Sequence, residues 1–337
     1  MKVGIIGASG IGKHHAKWFG QAGCDVTAFT GTSRESCRHT TDVLHDLMGF
    51  DGRIYTDYRD MLDQETLDIV SICSPPETHL YQIRDALQAG LHVYCEKPVT
   101  WMSAEAISFP LTSCPPSDIS GPSHPTLQSL LEKTRFALAP ALTGQSVFGL
   151  NTQYTAVQQA YKALYETPRG AMDVIEKVYF ILESKGISGR HNDFEGIWAD
   201  MSSHALSQLI AWIPDGSLDL GSVSCIIQKN QTVARFKYGS ARVEVVLAKN
   251  VQSVLRRQFG VNDFLVDYEG KSDDKGVYRT FIHYEKDTVI LDDLVQLSID
   301  RFLDAIGDRN VKPFSGARDA LKNLELSLMI LERGRRR

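Results

Sequence analysis

No apolar run in the 337 residues reaches the roughly 18 needed to span a bilayer, so no membrane partner is expected. Cysteine is sparse and scattered, at Cys24, Cys37, Cys73, Cys95, Cys114 and Cys225. None forms a C-x-x-C pair, which leaves zinc and dithiol chemistry without support. Cys73 and Cys95 read as small buried side chains in strands. The chain carries 36 Lys and Arg against 41 Asp and Glu, a net charge of -5, so it has no basic footprint for nucleic acid. Arg335-Arg336-Arg337 is a short basic end and reads as a solvated tail. The start has no charged, apolar and cleavage regions in series, and no leader is expected. With no pairing pattern among its thiols, the chain is expected in a reducing cytoplasm. There is no internal repeat. Hydrophobic content of 43% with 23% charged residues describes a soluble globular protein, and the length predicts two domains.

The first half alternates between strand and helix. Lys2-Val3-Gly4-Ile5-Ile6 is a short apolar run that ends in Gly7, as buried parallel strands do. Further strands are expected at Val26 to Phe29, Leu67 to Cys73 and Leu91 to Cys95. Helices are expected at Ile11 to Gln21, Glu35 to Leu47 and His79 to Gln88. This is the order of an α/β Rossmann domain, a doubly wound parallel sheet. The second half is rich in β signals, at Val174 to Leu182, Ser222 to Lys229, Val233 to Tyr238, Arg242 to Ala248 and Arg279 to His283. Short turns there predict a mainly antiparallel sheet. Helical patterns border it at Val157 to Glu166, Ala199 to Trp212 and Leu294 to Ile306. The division predicted is a dinucleotide-binding domain over 1–145, a substrate and oligomerisation domain over 146–312, and a last helix within 313–337 that returns to the first domain. A proline-rich insert spans about 109–140 and holds six of the twelve prolines. Its prolines predict a surface loop, or a mobile flap near the cofactor.

Gly7-Ala8-Ser9-Gly10-Ile11-Gly12 joins the first strand to the first helix. In that context backbone N–H groups and the helix N-terminus can hold a pyrophosphate. Ser9 stands at the usual second glycine, with Gly10 beside it. An acid at the end of the second strand would bind the ribose 2′-OH of NAD. The chain has Thr32, Ser33 and Arg34 there instead, which suits a 2′-phosphate, so NADP is the preferred cofactor and NAD the second. Ser74, Pro75 and His79 follow another strand at the ligand-binding edge. His79 reads equally as a cofactor contact or as part of the next helix. Cys95-Glu96-Lys97-Pro98 ends the strand from Leu91, and a charged pair there is expected to face a ligand, with Lys97 at the reactive end. In the second half Asp200 and His204 lie four apart and share a helix face. An imidazole oriented by a carboxylate suits general acid–base work, and a lysine nearby would hold charge developing on oxygen. An ordinary polar pair on a solvated helix is the other reading.

These motifs in this order resemble the Gfo/Idh/MocA oxidoreductases, which include glucose–fructose oxidoreductase and inositol dehydrogenase. The resemblance rests on the glycine loop with His15, Tyr55-Thr56-Asp57-Tyr58, Ser74-Pro75-Pro76 with His79, Glu96-Lys97-Pro98, Gly196 with Asp200 and His204, and Phe314-Ser315-Gly316-Ala317. It implies a Rossmann domain followed by an α/β domain whose open, mainly antiparallel sheet forms a homodimer or homotetramer. It further implies that Glu96 contacts the nicotinamide end, that Lys97 polarises the reacting oxygen, that His204 exchanges the proton and that Asp200 orients the imidazole or hydrogen-bonds the substrate. A cis Lys97–Pro98 bond is expected. The implied partner is a sugar-like or cyclitol small molecule.

The chain departs from the family at Ser207, where an aspartate is usual, at Asn151-Thr152-Gln153-Tyr154, which lacks an arginine, and at Glu195 in place of a glycine. Arg190, His191, Asn192 and Trp198 are further candidates for substrate contact, or for loop and core. The departures leave two rival readings open. One is a reductase of an unsaturated or aromatic-diol substrate. The other is an inactive cofactor-binding regulator.

Overall fold

The computed structural model describes residues 1–101, 125–172, 174–186 and 194–335. They form two compact units. Within the described residues the first unit holds residues 1–101, Gln128–Thr152 and Val295–Leu321, and the second holds residues 125–127, Gln153–Leu294 and residues 322–335. The helices are α1 (Gly12–Gln21), α2 (Arg34–Met48), α3 (Tyr58–Gln64), α4 (Pro76–Gln88), α5 (Pro125–Ala137), α6 (Ala139–Leu142), α7 (Gln158–Arg169), α8 (Phe194–Trp212), α9 (Leu294–Gly307) and α10 (Ala317–Arg335).

The first sheet contains β1 (Lys2–Ile6), β2 (Asp25–Thr30), β3 (Arg53–Tyr55), β4 (Ile69–Ile72), β5 (His92–Glu96) and β6 (Phe148–Asn151). Its order is β3-β2-β1-β4-β5-β6 and every pairing is parallel, the doubly wound arrangement expected. β1 and β4 are buried on both faces, so their sequences are almost wholly apolar. The core gathers Val3, Ile5, Phe19, Phe29, Leu44, Ile69 and Tyr94, together with Val295, Ile299 and Phe302 of α9. The segment that comes back to this unit is therefore Val295–Leu321, which carries α9. From Lys322 onward α10 belongs to the second unit, where Asn323 Nδ2 donates to Ser203 O and to Ser207 Oγ, each at 2.8 Å.

The second sheet contains β7 (Lys177–Glu183), β8 (Leu218–Gln228), β9 (Gln231–Tyr238), β10 (Ala241–Ala248), β11 (Arg257–Val261), β12 (Phe264–Ser272), β13 (Tyr278–Tyr284) and β14 (Asp287–Leu291). Its order is β14-β13-β12-β11-β7-β10-β9-β8. Two antiparallel meanders, β8–β10 and β11–β14, meet on either side of β7. Among the described strands of this sheet, β7–β10 is the one parallel pairing. Hairpin turns place Asn230 and Asn262 at positive φ, which asparagine tolerates.

The proline-rich insert is partly helical. Its residues 109–124, with the proposed flap, lie outside the described residues, but α5 and α6 follow. Pro125 is the first residue of α5 and Pro140 the second of α6, both in a first turn where a missing N–H costs nothing.

Candidate functional site

In the first unit the glycine loop leaves β1 and opens α1, as the motif requires. Gly10 has φ +58, and a methyl group built on it would enter open space. Gly12 differs, because a methyl there would run into the carbonyl of Gly7. The loop is thus closed on its inner side and open on its outer side, and Ser9, Gly10 and Ile11 are exposed. No side chain caps α1. This is a cradle that fits a pyrophosphate.

At the end of β2, Ser33 is the N-cap of α2 and forms a capping box with Ser36. Thr32 Oγ1 lies 3.4 Å from Ser36 Oγ. Thr32, Ser33 and Arg34 are all exposed around that helix N-terminus. After β4, Ser74 Oγ donates to Gln82 at 2.5 Å and accepts from Thr78 at 2.8 Å, and Pro75 leads into α4. His79 is fully buried, and its ring bridges the carbonyls of Ser74 at 2.8 Å and Pro98 at 2.9 Å. It ties the loop after β4 to the loop after β5. Burial lowers its pKa against the pull of those carbonyls.

The end of β5 holds a network that no single motif announces. His15 on α1 is fully buried, with Nε2 3.0 Å from Glu96 Oε1 and Nδ1 2.9 Å from Ser71 Oγ and 3.2 Å from Cys73 Sγ. Asn151 Nδ2 donates to the same Glu96 oxygen at 2.5 Å, and Tyr94 OH donates to Asn151 Oδ1 at 3.1 Å. Burial works against the charged form of His15, but Cys73 and Glu96 outweigh it, and its pKa is pushed up to about 10. Burial also works against the Glu96 carboxylate. The His15 bond and charge, the Lys97 charge and the Asn151 amide outweigh it and bring Glu96 down to about 2. The two shifts share one contact, the His15–Glu96 ion pair, and describe a buried imidazolium–carboxylate. Lys97 follows directly, and the Lys97–Pro98 bond is cis.

In the second unit α8 carries Asp200 and, one turn later, His204. The Tyr154 ring meets His204 edge-on at 4.9 Å and stacks on Tyr268 at 5.6 Å. Gln208, one further turn along, donates to Tyr154 O at 2.6 Å. Asp200 Oδ2 pairs with Lys249 Nζ at 2.8 Å, a partner the sequence did not point to. Trp198 is a core residue, fully buried, with Nε1 donating to Ser327 O at 3.0 Å. Ser207 is buried against Asn323 of α10, and Glu195 pairs with Arg335. Arg190, His191 and Asn192 lie outside the described residues.

Known proteins resemble the chain in part of its sequence and in its fold. Residues 1–109 match the family described as "Oxidoreductase family, NAD-binding Rossmann fold", the Gfo/Idh/MocA group. Inositol 2-dehydrogenase of Klebsiella pneumoniae (strain 342) is 33% identical over 107 residues, which are 31% of this chain and 30% of that protein's length. UDP-N-acetylglucosamine 3-dehydrogenase of Acidithiobacillus ferrooxidans superposes with a TM-score of 0.68 at 16% identity, over 98% of this chain and 96% of that one. Scyllo-inositol dehydrogenase of Lactobacillus casei, solved with NAD(H) and scyllo-inositol, gives a TM-score of 0.68 at 18% identity, over 100% and 97%. Residues 1–109 thus resemble the Gfo/Idh/MocA oxidoreductase family, the chain spans about a third of the length of the curated relatives it matches, and over its whole length it has the fold of these dehydrogenases.

Proposed function

We propose that the protein is an NAD(P)-dependent oxidoreductase that interconverts a secondary alcohol and a ketone on a sugar, cyclitol or related polyhydroxylated small molecule. The observation that carries this reading is Lys97. It leaves a parallel strand end beside a carboxylate that a buried imidazolium keeps ionised, on the same sheet edge as the glycine loop. The relative and the structural neighbours named above act, by their names, on a cyclitol or a sugar nucleotide, which favours the same class here.

The cofactor, when bound, accepts or supplies the hydride. Gly7, Ser9, Gly10, Ile11 and Gly12 would hold its pyrophosphate. Ser74, Pro75, His79 and Glu96 would shape the pocket toward the nicotinamide. The Lys97 ammonium stabilises negative charge that develops on the substrate oxygen. His204 takes the hydroxyl proton or returns it, and Asp200 governs the imidazole from one turn away. In this reading the first unit binds cofactor and the second binds substrate. Thr32, Ser33 and Arg34 around the N-terminus of α2 favour a 2′-phosphate, hence NADP over NAD. Exposed Leu220, Ile226, Ile227 and Ile290 on the second sheet favour a homodimer or homotetramer. The scattered cysteines, none in a C-x-x-C pair, favour a cytoplasmic setting.

The test is Lys97→Met, assayed with NADP+ and NAD+ on a panel of inositols and sugars, with planar unsaturated compounds as comparators. Turnover falls by roughly a thousandfold or more while nucleotide binding, read by fluorescence, is kept. Undiminished turnover in the variant overturns the assignment of Lys97. Turnover of the unsaturated compounds alone overturns the alcohol–ketone chemistry.

A further inference from the structure

Lys249 directly follows β10, and its backbone is pinned there. Its N–H donates to Asn230 O at 2.8 Å, and Ser184 N–H donates to the preceding Ala248 O at 2.9 Å. Asn250 then turns the chain at φ +59. The Lys249 side chain is only 11% exposed, and its Nζ lies 2.8 Å from Asp200 Oδ2, whose side chain is 50% exposed. An ammonium this buried needs a counter-charge, and among the described residues Asp200 supplies it. With that partner Asp200 stays ionised and is an acceptor only.

His204 stands one turn along on the face that Asp200 occupies. Other titratable groups approach from each neighbouring element. Tyr154 lies edge-on to His204, and Tyr268 of β12 stacks behind it, its phenol held above its ordinary value by burial. Glu183 of β7, level with Ala248 in the sheet, is neutralised by Arg256. Glu195, at the start of α8, is neutralised by Arg335. Among the described residues, Asp200 and Lys249 form an oppositely charged pair that bears on His204 from one turn away.

We propose that Lys249 is a positioning residue that acts through Asp200 to set the protonation state of His204. The proposal rests on the reading that His204 exchanges the substrate proton. Ionised Asp200 favours the imidazolium and Lys249 disfavours it, so the pair offset each other. Removing either charge moves His204 in a different direction.

The experiment titrates the His204 ring proton by NMR in the full chain, with its resonance identified by loss in His204→Asn. In Lys249→Met the pKa rises by about half a unit to one unit. In Asp200→Asn it falls by about as much. Lys249→Arg keeps the wild-type titration. Lys249→Gln replaces the methionine variant if that one unfolds. No shift, or shifts of the same sign in Lys249→Met and Asp200→Asn, overturns the proposal. The acid limb of kcat/KM moves with the titration, up in Lys249→Met, while KM for the nucleotide holds. His204→Asn with full turnover would remove the functional reading, and the titration would still decide the role of Lys249.

Discussion

Asn151 and Glu96 stand at matched positions on the adjacent parallel strands β6 and β5, and the Asn151 amide donates to the Glu96 carboxylate at 2.5 Å. Tyr94 donates to the other end of the same amide, which fixes its orientation. With His15 on its other side, Glu96 is clasped between two donors just ahead of Lys97.

Asn151→Leu removes one donor from Glu96 and the acceptor of Tyr94. The loss in unfolding free energy is about 1–3 kcal/mol, measured by denaturant titration. A loss below about 0.5 kcal/mol would show that water replaces the amide without cost. Asn151→Asp sets a second carboxylate against Glu96, and its destabilisation shrinks as pH falls and one carboxyl takes a proton.

The pH dependence of stability follows from the same network. Glu96 has a folded pKa of about 2 against an ordinary 4.5, so its contribution is complete above 4.5 and is lost as pH falls toward 2. His15 has a folded pKa of about 10 against an ordinary 6.5, so its contribution is complete below 6.5 and is lost as pH rises toward 10. Melting temperature is therefore highest between these flanks. His15→Asn lowers the plateau and flattens both flanks. A variant that melts lower but keeps the wild-type profile would contradict this origin.

Arg34→Ala separates the two nucleotides. Loss of a charge-assisted contact to a 2′-phosphate raises Kd for NADP+ about tenfold and leaves NAD+ within about twofold. Equal weakening of both would place Arg34 away from the 2′ position.

Two methyl groups on the glycine loop act differently. Gly10→Ala adds a side chain in open space at positive φ, costs about 1 kcal/mol in stability, and weakens nucleotide binding by filling the cradle. Gly12→Ala collides with the Gly7 carbonyl, so both melting temperature and binding fall. Isothermal titration beside a thermal melt distinguishes them.

Much of the first sheet was legible because β1 and β4 are buried on both faces and read as unbroken apolar runs. β3 was not, since Arg53-Ile54-Tyr55 is short and mostly exposed at the sheet edge. β11 is short and opens with Arg257 and Gln258, and β14 lies mostly uncovered at the edge of its sheet, so neither stood out, whereas β12 alternates buried and exposed residues as a half-buried strand should. The proposed reactive end was marked in the sequence by Glu96 and Lys97, charges where a buried strand should have none. Their supports did not. The Asn151 amide reaches Glu96 only through the β5–β6 register, and Lys249 reaches Asp200 only because β10 ends beside α8. Contacts of that kind depend on topology, which periodicity alone does not supply.

The seam at β7 has a consequence for how the chain assembles. β7 is synthesised before either of its neighbours, and it pairs with β10 on one side and β11 on the other. The hairpins β8–β10 and β11–β14 can close from local contacts, whereas β7 must wait for both. Its alternation then acts as a gauge for two prefabricated ribbons at once. Val178, Phe180 and Leu182 face inward, so a one-residue slip would turn the buried face of β7 outward against both partners together.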